Sequence, residues 1–436
     1  MAVRVPPVMR RVRSAVRGRP RLPARLSSRR TRIIALLGLL GPGLIAANAG
    51  NDAGGIATYS SAGAKYGYSV LWIMVLITVS LAIVQKLAAR MGVVTGKGLA
   101  ELIREEYGIR WSVLATTAVL IANLGICISD FVGIGAALGL AGIPAQVSVP
   151  IAALGIWLII VRGSYRSAEK TFIWFTIPFF AYPIAAILAH PHWSTVGSQI
   201  VAPHIMSSSP YVLLVVALAG TTITPYMQLY LQSAVVERGV REDELPHEER
   251  EAVLGAVFAN VIASFIIIAT AATLYTHGIH SISGAADAAR ALKPFAGRYA
   301  EVLFGVGLLG ASLLAAAILP IATSYVVSES LGYEKGVGRR RQEAPVFVNI
   351  ITGMILISAF VAMIPNVPVI SLLVGVQVVN GLLLPINLFV IWRLSRSASV
   401  MGEQRSSALL DGTAGITVLV TSCLSIVLVL VTLAGV

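Results

Sequence analysis

At 436 residues, 56% hydrophobic and only 12% charged, against about 25% charged in soluble domains, the chain reads as a polytopic membrane protein and not a soluble enzyme or scaffold. Its two cysteines, Cys127 and Cys423, both lie in apolar stretches, which excludes a disulfide framework or a zinc motif. The net charge of +13 suggests a nucleic-acid partner only until its distribution is read: the cations sit in loops between apolar spans, with no basic patch interleaved with stacking aromatics, so none is expected.

Residues 1–32 carry eleven arginines, no acids and no apolar core of signal-peptide length. They read as a disordered cytoplasmic tail that sets topology, with anchoring to anionic headgroups as the alternative. Eleven candidate spans follow, at 33–61, 68–90, 112–137, 146–162, 170–189, 210–237, 252–275, 300–327, 346–364, 368–392 and 412–435. Each is close to the roughly 20 residues that cross the hydrocarbon, the fourth being short. With the N-terminus inside, cytoplasmic loops collect Lys86, Arg90, Lys97, Arg104 and Arg110, and later Arg238, Arg241, Arg250, Lys335, Arg339, Arg393 and Arg396. Outside loops hold almost no cations except 277–299, so the positive-inside rule gives N-in and C-out. Residues 241–250 read as a solvated cytoplasmic loop with helical ends.

Two spans are interrupted. In the first, Asp52 lies within Gly50-Asn-Asp-Ala-Gly-Gly55. A carboxylate at bilayer depth costs roughly 3 kcal/mol on insertion scales, and glycines weaken a helix. Unwound backbone at that depth is tolerated only where it lines a cavity or is buried in protein, and a break with a carboxylate and free carbonyls is a ready cation site. The plainer alternative is an Asp that hydrogen-bonds within a bundle. In the sixth span, Ala219-Gly-Thr-Thr-Ile-Thr-Pro-Tyr226 carries Pro225, which cannot donate a backbone hydrogen bond. Breaks five spans apart predict an inverted repeat of five plus five helices, the odd offset turning the second half over.

Several blocks resemble the Nramp family of divalent-metal transporters over about residues 40–393: Gly-Pro-Gly-Leu-Ile-Ala at 41–46, Asp-Ala-Gly-Gly at 52–55, Ala-Lys-Tyr-Gly-Tyr-Ser at 64–69, Gln85 to Lys97 with Glu101 to Tyr107, Gly163 to Lys170, and Gln377-Val-Val with Leu384-Pro385. Their order and spacing together are specific. The resemblance implies an all-α membrane protein of the LeuT-type fold, with a transport core over 33–393 and a loop and eleventh helix over 394–436. It also implies Asp52 as the charged metal ligand, with the carbonyls of Ala49 and Thr221, and Gln377 joining from the tenth helix; for Gln377 an interhelical hydrogen bond is the alternative.

Departures from the family pattern are informative. The family keeps an Asn where this chain has Gly55, and a Met before the helix-six proline where it has Thr224. Losing a thioether removes a soft ligand, and oxygen donors suit magnesium, calcium or manganese. Gly55 is expected to widen the site for an ion that keeps part of its water, as magnesium does. Asp130 matches the family's helix-three Asp, but the acidic neighbours are Asn123 and Gly133, and the family's His is Tyr226, whose ordinary pKa near 10 does not suit neutral proton transfer. Asp130 and Tyr226 are thus the remaining relay candidates, Asp130 being alternatively a packing partner.

The pattern looks like the Nramp-related magnesium transporters: a magnesium or manganese importer in the cell membrane, not proton coupled, with the lipid bilayer as its environment, no resident cofactor and no enzymatic role. The alternative is a proton-coupled manganese or iron transporter. An amino-acid transporter of the same fold is disfavoured because Asp52 would repel a substrate carboxylate. An intramembrane enzyme would need a second ionisable group near Asp52 or Asp130, and neither span carries one. His190 and His192 are a loop pair that could hold metal at the outer mouth, though unrelated loop histidines are the simpler reading.

Overall fold

The computed structural model describes residues 42–433 except 207, 283–284 and 365–368; side chains at 42, 295, 369–379, 381–382, 428–429 and 431–433 are likewise outside the description. The expected tail 1–32 and the first nine residues of the first span therefore fall outside it, as does residue 434 onward. Each of the eleven expected spans meets helix. The first is split into α1 (Pro42–Ala49) and α2 (Ala53–Tyr66), and the second is α3 (Leu71–Thr95). A short α4 (Leu99–Tyr107) leads to α5 (Ile109–Gly139) and α6 (Ala145–Val161), the fifth span being α7 (Tyr165–Thr176) with α8 (Ala181–Leu188). After the outer helix α9 (Trp193–Val201), the sixth span is split into α10 (Ser209–Thr222) and α11 (Pro225–Arg238). Then come α12 (Leu245–Thr273), α13 (Ala285–Leu331), α14 (Pro345–Ala362), α15 (Val369–Arg396), a single turn α16 (Ala398–Met401) and α17 (Ala408–Leu433). Among the described residues, eight stretches are long and apolar enough to cross a membrane, with Ala145–Val161 shorter.

The two breaks meet at the centre. α1 packs on α11 and α2 on α10, so inner half meets inner half and outer meets outer, as an inverted repeat requires. α13 runs along α5, and α12 lies along α3 and both halves of the first span. Small residues permit the last contact. A Cβ on Gly43 would lie 2.8 Å from the Ala252 Cα, and one on Gly255 would lie 2.6 Å from the Gly43 oxygen. At the outer end, a Cβ on Gly63 would run into the Ile267 carbonyl oxygen and the Thr270 hydroxyl. Backbone-to-backbone contact along α12 therefore holds the split helix in line.

Two loop readings change. The 241–250 segment is not a solvated loop throughout: α12 begins at Leu245, and Glu248 is 2% exposed. Arg238, at the end of α11, draws it inward, with Nη1 3.5 Å from Glu248, 3.7 Å from Glu251, and Nε 3.8 Å from Glu169. Glu251 in turn accepts the Gly43 N–H at 3.0 Å, so one charged cluster ties the inner ends of both broken helices. The cationic outer loop is also helical ahead of a kink at Gly297 (φ 79°). There Arg290 pairs with Asp287 at 3.1 Å and Lys293 with Glu301 at 3.2 Å, which explains how cations sit on the outer side.

Gly63→Val should cost about 1–3 kcal/mol through overpacking. Thermal unfolding in detergent would show a lowered midpoint, and an unchanged melt would mean that α2 and α12 are not in backbone contact.

Candidate functional site

The first break is made by two tight turns and a cap. Gly50 N–H donates to the Ala47 oxygen at 3.3 Å and Asn51 N–H to the Asn48 oxygen at 3.0 Å, ending α1. Asp52 turns extended (φ −67°, ψ 179°) and caps α2, its Oδ1 accepting the Gly55 N–H at 2.6 Å. The Asn51 amide donates to the Ala259 oxygen at 2.9 Å, pinning the unwound segment to α12. The second break follows from Pro225 as the first residue of α11, which pushes Thr224 into the extended region (φ −76°, ψ 140°). The ends of α1 and α10 that face the breaks are C-termini, where helix carbonyls and the macrodipole favour a cation.

Asp130 of α5 reaches the same helix end as Asp52. Its Oδ1 accepts the Ala53 N–H at 3.1 Å, two residues from the N–H that Asp52 holds. Both side chains are fully buried. This corrects the expectation that no second ionisable group lies near either Asp: each is the other's neighbour, brought together from spans far apart in sequence. Among the described residues, the remaining oxygens, Asp52 Oδ2 and Asp130 Oδ2, have no hydrogen-bond partner, and the same holds for Asn48 Oδ1. An unsatisfied buried acceptor costs about 1–3 kcal/mol, more when charged. Two of these oxygens belong to carboxylates held on one helix end, and a cation is the group whose charge would satisfy both.

The other expected residues fall as follows. Gly55 lies in the first turn of α2. A Cβ there would lie 2.9 Å from the Gly50 oxygen, 3.3 Å from Asp52 Oδ1 and 3.4 Å from Thr221 Oγ1. Three oxygens thus surround the position that a side chain would enter. The Ala49 carbonyl accepts the Tyr226 hydroxyl at 2.7 Å, which binds α1 to α11 and leaves one lone pair on that oxygen. The Gln377 side chain lies outside the described residues, although its backbone is in α15. Asn123 donates to Thr323 at 2.9 Å, and the space at Gly133 is filled by the Ser312 hydroxyl and the Ala53 methyl. His190 and His192 are exposed before α9, and among the described residues no three His, Cys, Asp or Glu side chains gather as a metal cage.

Sequence reasoning missed Met227. It is fully buried, and its Sδ would touch a Cβ on Gly50 at 2.8 Å, so a thioether closes one side of the break although position 224 lacks one. The signal was present: Met227 lies three residues after Thr224, one helical turn away on the same face.

With this geometry in view, a family model described as Nramp, natural resistance-associated macrophage protein-like, matches residues 43–431. The chain is 30% identical over 423 residues to the divalent metal cation transporter MntH of Ralstonia nicotianae, covering 92% of each chain. It is 29% identical over 337 residues to MntH of Bacillus subtilis, covering 74% of this chain and 77% of that one. Its fold is similar to that of the Eremococcus coleocola manganese transporter, with TM-score 0.74 at 20% identity over 92% of this chain and 87% of that one. It is also similar to MhsT, solved with L-phenylalanine, with TM-score 0.61 at 14% identity over 88% and 98%. These likenesses carry the LeuT-type fold.

Proposed function

The chain belongs to the Nramp family, and from that membership we propose that it carries divalent metal cations into the cell by alternating access, with the junction of α1 and α2 as the ion's station. One observation carries this reading: two buried carboxylates share the first turn of α2, each with one oxygen tied to a backbone N–H and the other without a partner among the described residues. Their combined charge of about −2 when ionised balances a divalent cation, which pays the desolvation of both. The names of the relatives, divalent metal cation transporters, support the same class.

In this reading Asp52 is the charged ligand that touches the ion, Asp130 adds its charge from the neighbouring backbone N–H, and Thr221, Thr224 and the Ala49 carbonyl supply neutral oxygens. Gly55 permits their approach, and Gln377 joins from α15. Oxygen donors favour magnesium or manganese over softer metals. Import needs no second ion: each charge gains roughly 2.3 kcal/mol at 100 mV. The absence of a histidine at 226, the Asn123–Thr323 hydrogen bond and the filled space at Gly133 support transport without a proton route along α5. A second reading, a proton-coupled manganese or iron importer, rests on Asp130 lying on the same helix end as Asp52. The positive-inside pattern supports a cytoplasmic N-terminus in the cell membrane, with the C-terminus outside.

Asp52→Asn should reduce magnesium and manganese uptake in proteoliposomes to the protein-free level, and wild-type uptake in that variant would remove Asp52 from the site. In the same vesicles, a pH dye should stay constant during wild-type uptake at zero imposed proton gradient; acidification in step with metal entry would favour the coupled reading. Thr224→Met should increase the ability of cadmium to compete with manganese, and an unchanged competition curve would show that position 224 does not face the ion.

A further inference from the structure

The inner end of α15 borders a cleft that the transport site does not use. Its polar part, about 520 Å³, lies among Glu106, Tyr107, Trp392, Arg393 and Arg396. Tyr107 also lines a second, apolar part of about 270 Å³ that continues between α5 and α15, past Trp111, Ala115 and Val119 on one wall and Leu383 and Val390 on the other. The apolar part spans about 12 Å along α5 and about 10 Å along α15 at 1.5 Å per residue. That is most of the roughly 15 Å depth of one leaflet's hydrocarbon. Trp111 and Leu114 beside it are 66% and 62% exposed, so the crevice opens on the lipid-facing side. A polar pocket that shares the Tyr107 wall with an apolar slot of leaflet depth matches the headgroup-and-chain form of a phospholipid.

The charges define the headgroup. Arg396 is already committed: its guanidinium is 3.2 Å from Asp411 and stacks 4.8 Å over Trp392, whose indole N–H donates to the same Asp411 at 2.9 Å. Arg393 and Glu106 are exposed, and neither is in an ion pair among the described residues. The pocket thus offers one cation and one anion. A guanidinium matches a phosphate, and a carboxylate matches an ammonium. A purely anionic headgroup would leave Glu106 facing like charge.

We propose that this cleft binds one ethanolamine-type glycerophospholipid of the cytoplasmic leaflet, its phosphate on Arg393, its ammonium on Glu106 and one acyl chain between α5 and α15. The inner wall of the slot includes Pro225 and Leu229, the first turns of α11. The bound chain therefore rests against the inner half of the second broken helix, and its presence bears on how far that half can move.

The test uses the full chain in mild detergent, given equal amounts of phosphatidylethanolamine, phosphatidylcholine and phosphatidylglycerol, with retained lipid identified by native mass spectrometry. Wild type should keep one phosphatidylethanolamine in preference to the other two by about five-fold, the upper range for an exposed ion pair. Glu106→Gln should remove the preference, and Arg393→Gln should lower retention of all three; both positions are exposed, so folding is unaffected. Ala115→Trp, which fills the slot, should also reduce retention. Equal retention of the three lipids by wild type, preference for phosphatidylglycerol, or a phosphatidylethanolamine preference that survives both Glu106→Gln and Arg393→Gln would overturn the proposal. No metal transport enters the readout, so this result and the transport reading fail separately.

Discussion

The first turn of α2 is the element on which the rest depends. Its Ala53 and Gly55 N–H groups are donors that a continuous helix would have spent on carbonyls of the preceding turn. Because the helix is broken at Gly50–Asp52, they are free to hold Asp130 and Asp52 instead. Each such charge-assisted bond contributes about 1.5–3 kcal/mol, which offsets part of the cost of placing two carboxylates in the bilayer core. The break thus creates the donors that make its own buried anions tolerable, and it leaves one oxygen of each for something else.

Much of this was legible in the sequence because it depends on local chemistry. Glycines around Asp52 and a proline after Thr224 say where helices must stop, whatever packs around them. Two such stops five spans apart give the repeat, and the apolar runs give the spans. These are features of chain stiffness and hydropathy, and they need no knowledge of neighbours.

What escaped the sequence was a matter of which surfaces meet. Asp130 lies 78 residues from Asp52, and only the packing of α5 against α2 makes them a pair. Gly55 reads as empty space until the Gly50, Asp52 and Thr221 oxygens are seen around the position that its side chain would enter. Met227 seemed one more apolar residue in a helix, because its contact is with the backbone of another element. Glu248 seemed a loop acid because its partner, Arg238, belongs to a different helix.

The hold on the inner end of α1 has a mechanical consequence. Glu251 accepts the Gly43 N–H of that half-helix while also facing Arg238. Glu251 is thus one carboxylate shared between two half-helices, beside the α12 backbone contact and the Tyr226–Ala49 hydrogen bond that also hold α1. Swinging α1 away and shifting α11 are then not two independent events. A change at Glu251 that frees one half-helix removes a counter-charge from the other, so the two inner ends are linked through one side chain.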